Sequence, residues 1–208
     1  LYHADYGSHF IPINMMFQRT IVSIVSLLIG FLILTCLTAC SQEASTTNQP
    51  DQAAKPPKRT IQEAAFMGDL KLLQAHIAAG TDLNQKDDFG STPLIIATTF
   101  GKTAIAKQLI EAGADLNATG GDGGTALHGA AFYCRTEIVQ ALLAKGADTS
   151  IRNAYGSTAL ESVEASFADV KPVYDQISKD LGPLGFKLDY AYLEATRPKV
   201  AEMIRGAR

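Results

Sequence analysis

The sequence predicts an all-α solenoid of stacked helix-turn-helix units joined by β-turn fingers. Three observations predict it. Gly80, Gly113 and Gly146 recur every 33 residues, and Asp82, Asp115 and Asp148 keep the same step. Gly90, Gly123 and Gly156 share that period, as do Thr92, Thr125 and Thr158. Between these markers Ile105, Leu109 and Ile110 form an apolar stripe at helical spacing. Self-similarity at this length marks units that cannot bury an apolar face alone and must stack.

The chain divides into four parts, and the first, residues 1–39, is expected to lie outside the fold. Residues 1–14 show no clear periodicity and read as an upstream extension before Met15 or Met16. Arg19 then precedes an apolar stretch, Ile21 to Ala39, ending in Leu37-Thr38-Ala39-Cys40. A cation, an apolar stretch and small residues before a cut site describe an export signal. The tetrapeptide resembles the bacterial lipobox, which implies cleavage before Cys40 and a lipid on that cysteine. An uncleaved transmembrane helix is the competing reading, since the stretch approaches the roughly 20 residues that cross a bilayer. Ser23, Ser26, Gly30, Thr35 and Thr38 dilute it. The resemblance implies a bacterial cell-envelope location facing the periplasm, with Ser41 favouring the outer membrane. Residues 40–59, rich in Ser, Thr, Gln, Pro and Ala, lack an apolar period and read as a tether.

Residues 60–166 hold the repeats, and each has local reasons to fold. In the first unit Thr60 can cap a helix through Ala64, Ala65 and Phe66, with Gly68 as the turn. Leu70, Leu72, Leu73 and Ile77 supply a second helix ending at Gly80. In the next unit Thr92 caps and Pro93 takes the first helical position, where its missing N–H is harmless. Gly101 turns the chain, and Gly113 ends the second helix as a left-handed cap. Leu116 tucks beneath it, and residues 117–123 project as a finger. The third unit puts Cys134 at the turn position held by Gly68 and Gly101, which predicts a side chain at positive φ. The fourth keeps Tyr155-Gly156-Ser157-Thr158-Ala159-Leu160 and then departs. Pro172, Gly182-Pro183 and Gly185 break the register. Residues 167–208 therefore read as a divergent helical cap, with Leu181, Leu184, Phe186 and Leu188 placed to cover the exposed end of the stack.

These residues carry a family resemblance. Gly90-Ser91-Thr92-Pro93-Leu94 opening a unit, and Gly113-Ala114-Asp115-Leu116-Asn117 closing it, resemble the ankyrin repeat. The resemblance implies a structural hydrogen bond from His128 to neighbouring turn backbone. Ile95 and Glu161 replace that histidine in the second and fourth units.

Charge and composition exclude several functions. The chain has 18 basic and 21 acidic residues, net −3, and its basic run is Lys55, Lys58 and Arg59, so no nucleic acid partner is expected. No cofactor, metal or catalytic constellation is expected, and the chain is not read as an enzyme. Past Cys40 the histidines are His76 and His128, in different repeats, without ligand spacing. Cys134 lacks a histidine neighbour in sequence and reads as structural. Gly120-Gly121-Asp122-Gly123-Gly124 lacks the Gly-Lys-Ser/Thr ending of a phosphate loop and reads as a finger turn.

A protein partner, unidentified, is what the resemblance implies, with the chain itself a monomer held to the membrane by its lipid. In such stacks partners meet the fingertips and the exposed side of the first helix. The matching positions are Phe66, Met67, Lys86, Asp88, Phe89, Thr99, Phe100, Thr119, Asp122, Phe132, Tyr133, Arg152 and Tyr155. Six are aromatic in a chain that is 8% aromatic, and aromatics with Arg dominate interface energies. For Phe66, Phe100 and Phe132 a second reading stands beside this one: stacking between repeats as core. The functional expectation is a tethered, extracytoplasmic adaptor. Two other binding roles remain open: an immunity lipoprotein masking a secreted toxin, and a helper of a periplasmic antioxidant enzyme.

Overall fold

Three helical hairpins stack on one another, and a fourth is split by an excursion of the chain. The computed structural model describes residues 55–207; the expected export signal, Cys40 and the expected tether up to residue 54 lie outside the described residues. The hairpins are α1 (Ile61–Met67) with α2 (Leu70–Ala78), α3 (Pro93–Thr99) with α4 (Thr103–Glu111), and α5 (Ala126–Phe132) with α6 (Thr136–Ala144). Then follow α7 (Ala159–Glu164), α8 (Phe167–Leu181), a 3-10 turn (Gly182–Leu184) and α9 (Tyr190–Arg205). First helices pack on first helices, α1 on α3, α3 on α5 and α5 on α7, while α2, α4 and α6 form the outer row. No strand is present among the described residues.

Capping chemistry sets the starts of the first helices. Thr60, Thr92 and Thr158 accept from the amides of Glu63, Ile95 and Glu161 at 3.1, 3.3 and 3.2 Å. Each satisfies a donor the helix cannot satisfy itself. In the third unit the Thr125 amide donates to His128 Nδ1 at 3.1 Å. That leaves the other ring nitrogen, Nε2, to carry the proton and donate to the Ser157 carbonyl at 3.1 Å. The bond to the next turn's backbone is the one the resemblance implied. Burial lowers the His128 pKa, so the imidazole stays neutral in this role.

The period of 33 has a hydrogen-bond basis. Asp82, Asp115 and Asp148 accept from the amides two residues on, at 2.8–2.9 Å. Asn84 Oδ1 then takes the Asp115 amide at 2.8 Å, and Asn117 Oδ1 the Asp148 amide at 2.9 Å. Ser150 occupies the next rung, where the asparagine ladder stops. Each finger is closed by a pair of backbone bonds, such as Asp87 N–H to Ser91 O at 3.0 Å and Gly90 N–H to Asp87 O at 2.9 Å.

Leu73, Leu94, Ile105, Leu109, Leu127, Ile138 and Leu142 are fully buried in one continuous core. Each contributes about 1.5–3 kcal/mol relative to exposure, so stacking rather than helix propensity carries the fold. The excursion changes the expected capping of that core. Leu181, Leu184 and Leu188 are only half-buried, and it is α9 that packs on α6 and α7, in the place of a fourth second helix. Its Leu193, Val200, Ala201 and Ile204 seal the end of the stack. Pro172 and Pro198 lie inside α8 and α9 rather than ending them.

The Gly-to-Cys departure at residue 134 follows from the same excursion. Lys102 of the second repeat lies 3.2 Å from where a Cβ on Gly68 would stand, and Arg135 lies 2.8 Å from the equivalent point on Gly101. Each turn is roofed by the long cation of the next repeat. The position equivalent to Lys102 and Arg135 in the fourth unit is Ala168, and at Cys134 it is α9 that arrives. Cys134 takes φ +52°, and its buried thiol points to the Leu193 carbonyl at 3.7 Å. The Tyr192 hydroxyl donates to the Cys134 carbonyl at 3.3 Å.

Candidate functional site

The residues at the ends of the first helices and on the fingers form the palm of the stack. Two groups of them meet, joined by residues that sequence reasoning did not assign there. Phe66 packs edge-on against Phe100 of the next repeat, with ring centroids 4.6 Å apart. Phe132 packs edge-on against its neighbour Tyr133 at 5.2 Å. Phe186, from the loop after α8, touches both groups, at 5.9 Å from Phe100 and 5.4 Å from Tyr133. On its far side Phe132 lies 4.5 Å from Tyr174 of α8. Phe66 and Phe100 thus stack between repeats, half-buried and outside the continuous core.

Residues 167–189 act as a strap over the C-terminal part of the palm. Tyr174 is completely buried, and its hydroxyl donates to the Phe132 carbonyl at 2.5 Å. The same oxygen accepts from Arg197 Nη1 at 2.9 Å. Arg197, itself buried, also donates from Nη2 to the carbonyls of Ser162 and Ala165, at 2.9 and 2.8 Å. A guanidinium presents its donors as a rigid fork, so one side chain fixes the end of α7, the strap and α9 together. Burial pushes the Tyr174 hydroxyl up to about 12, against the opposing pull of Arg197. Phe132 and Tyr133, expected as partner contacts, therefore lie beneath the strap. Burial, with Tyr174 and Asp122 nearby, raises the Tyr133 hydroxyl far above its ordinary value.

Elsewhere the expected residues are more open. Met67 is 59% exposed and Tyr155 54% exposed, with Lys86, Asp88, Asp122 and Arg152 also at the surface. Phe89, Thr99 and Thr119 are half-buried. Met67 carries the Arg59 guanidinium on its sulfur. Arg152 is engaged: its two terminal nitrogens meet Glu161 at 2.7 and 3.0 Å, and Nη1 also donates to the Gly156 carbonyl. Hydrogen bonds from Arg152 and the Thr158 amide hold the Glu161 carboxyl below its usual range. Asp122 accepts from the Gly124 amide at 2.9 Å, which stiffens the glycine-rich finger.

The remaining polar groups read as structural. His76 is buried; its Nε2 donates to the Arg59 carbonyl at 2.7 Å, and Nδ1 meets the Thr81 hydroxyl at 3.1 Å. Burial pushes the Cys134 thiol up to about 11, away from the thiolate a nucleophile needs. Among the described residues no group of three or more His, Cys, Asp or Glu is placed to hold a metal ion. No helix among them is long and apolar enough to cross a membrane. The signal for the strap was present in the sequence as Phe167, Tyr174, Phe186, Tyr190 and Tyr192, an aromatic cluster beyond the last recognisable repeat.

Comparison with known proteins agrees with the repeat reading. Residues 61–153 match the family model described as ankyrin repeats (3 copies). No curated protein matches the chain. Among solved structures it is similar to the ankyrin repeat domain of Bcl-3, described as a unique member of the IkappaB protein family. That match has 28% identity and a TM-score of 0.48, and covers 49% of this chain and 45% of the other. Residues 61–153 are thus similar to ankyrin repeats.

Proposed function

We propose that this chain is a protein-binding module tethered to a membrane and working outside the cytoplasm, with no reaction of its own. Residues 61–153 supply the binding scaffold, Cys40 the lipid, and residues 41–59 the reach between them. The observation that carries the binding role is the uncovered part of the palm, where Met67 stands 59% exposed beside Phe66, with Phe89 on the neighbouring finger. Sulfur and ring surfaces held in a fixed row by repeat stacking suit a protein partner better than a small polar ligand. The anchoring role rests on Leu37-Thr38-Ala39-Cys40 and the apolar stretch before it. A single acyl chain binds a bilayer only marginally, so the durable attachment expected here needs more than one.

Two experiments separate the two roles. Feeding cells a fatty-acid analogue should label the wild-type chain and leave Cys40→Ala unlabelled; equal labelling of both removes the anchor. Affinity capture from membranes should return a partner whose recovery weakens at least about tenfold, about 1.4 kcal/mol, in a Met67→Ala, Phe89→Ala variant with an unchanged circular dichroism spectrum. Undiminished recovery by that folded variant places the partner elsewhere.

A further inference from the structure

Phe186 is buried in a different way from its neighbours. It is 6% exposed, yet it lies outside the continuous core that includes Tyr174. Its ring sits in a slot between Phe100 of the second repeat and Tyr133 of the third, both met edge-on. The loop that carries it is bonded only to itself. The Gly185 amide donates to the Gly182 carbonyl at 2.9 Å, and the Phe186 amide to the Leu181 carbonyl at 3.2 Å. Among the described residues, no hydrogen bond or ion pair joins residues 182–188 to the repeats. Gly182 and Gly185, the latter at φ +83°, have nothing near the position a Cβ would take. Two glycines in open space leave the backbone of this loop free to change direction. The strap is clamped at Tyr174; in the loop Phe186 is the one buried side chain, and half-buried Leu188 packs on the core as the chain enters α9.

We propose that the slot between Phe100 and Tyr133 is the anchor site for an aromatic side chain of the protein partner, and that Phe186 fills it until that partner arrives. The proposal rests on the protein-binding reading above and names the residue type that reading recognises. The occupant in place assigns the chemistry. Two rings met edge-on favour a third ring, through the opposed charge of ring face and ring edge, over an aliphatic chain of equal area. Swinging the loop out orphans no buried polar group, because its hydrogen bonds travel with it. Beyond the slot Phe66 and exposed Met67 continue the apolar path on the uncovered side. A partner segment that inserts its ring thus has somewhere to lie. Its apparent affinity is lowered by the fraction of molecules in which Phe186 is home.

The test uses the full chain and a synthetic peptide of its own loop, Leu-Gly-Pro-Leu-Gly-Phe-Lys-Leu, followed by chemical-shift changes up to millimolar peptide. The Phe186→Ala variant should bind the peptide at least about tenfold more tightly than wild type, with shifts centred on Phe100 and Tyr133. A peptide with Ala in place of its Phe should lose that gain, and so should adding Phe100→Ala to the protein. A folded Phe186→Ala variant that ignores the peptide overturns the proposal, as does equal binding by variant and wild type. Should the variant unfold, ring signals of the wild type decide. The aromatic resonances of Phe186, Phe100 and Tyr133 must show relaxation dispersion from a minor open state; flat dispersion at all three overturns the proposal. A captured partner lost with Met67→Ala, Phe89→Ala but indifferent to Phe100→Ala also overturns the slot, while leaving the protein-binding reading intact.

Discussion

The two ends of the palm carry the same kind of residue at the same repeat positions and meet opposite surroundings. At the N-terminal end Phe66 and Met67 close the first helix, and Met67 faces water. At the C-terminal end Phe132 and Tyr133 close the equivalent helix and are roofed by Tyr174 and Phe186. Position within a repeat sets which way a side chain points. What it meets there depends on chain from outside the repeat. A solenoid's units contact only their neighbours, so a strap returning from the last unit is the way this chain gives equivalent positions unequal exposure.

The comparison is most open to attack at Tyr174. Truncation to Ala removes a fully buried ring and should cost about 3–5 kcal/mol, read by denaturant titration. Phe66→Ala, at the open end, should cost clearly less; equal losses would erase the distinction between the two ends. Arg197→Met comes next, because it strips donors from two helix-end carbonyls and from Tyr174. A loss of about 1–3 kcal/mol is expected, the range for orphaned buried acceptors. A neutral or stabilised variant would mean that the strap is held by its rings alone.

A smaller effect distinguishes the third repeat by pH. His128 is kept neutral by burial, so its folded pKa lies below the unfolded value of about 6.5. The unfolded chain then binds the proton more readily, so the stabilisation is complete above about pH 6.5 and is lost as pH falls through the folded value. Subtracting the stability-versus-pH curve of His128→Gln from that of wild type should expose this limb. A flat difference would show that the imidazole does not titrate on unfolding. The smallest effect on stability belongs to Met67→Ala, which should stay within about 0.5 kcal/mol by thermal melting. A large destabilisation would make Met67 part of the fold rather than of a binding face.

Much of this architecture was legible in the residues because repeat physics is local. The threonine caps, the turn glycines and the Gly-Ala-Asp endings each satisfy hydrogen bonds within a few residues, so their spacing alone announces the units. Cys134 at positive φ was readable for the same reason, although the cause was not. That cause is α9, which is 58 residues distant where Tyr192 meets the Cys134 carbonyl. The aromatics of the strap were visible in the sequence but their destination was not: nothing periodic places Phe186 opposite Phe100, and long-range packing of that kind leaves no spacing to count. Arg152 shows the same limit: its fingertip position marked it as a partner contact, and its bidentate partner Glu161 lies in the following helix.

The position of α9 matters for how the protein is made. Nascent chains fold from the N-terminus as they emerge, so α1–α7 can stack while the strap and α9 are still unwritten. Until the 16 residues of Tyr190–Arg205 arrive, the apolar edges of α6 and α7 have no cover. A ribosome that stops before residue 190 would therefore release a well-formed stack with a bare apolar end, poised to self-associate.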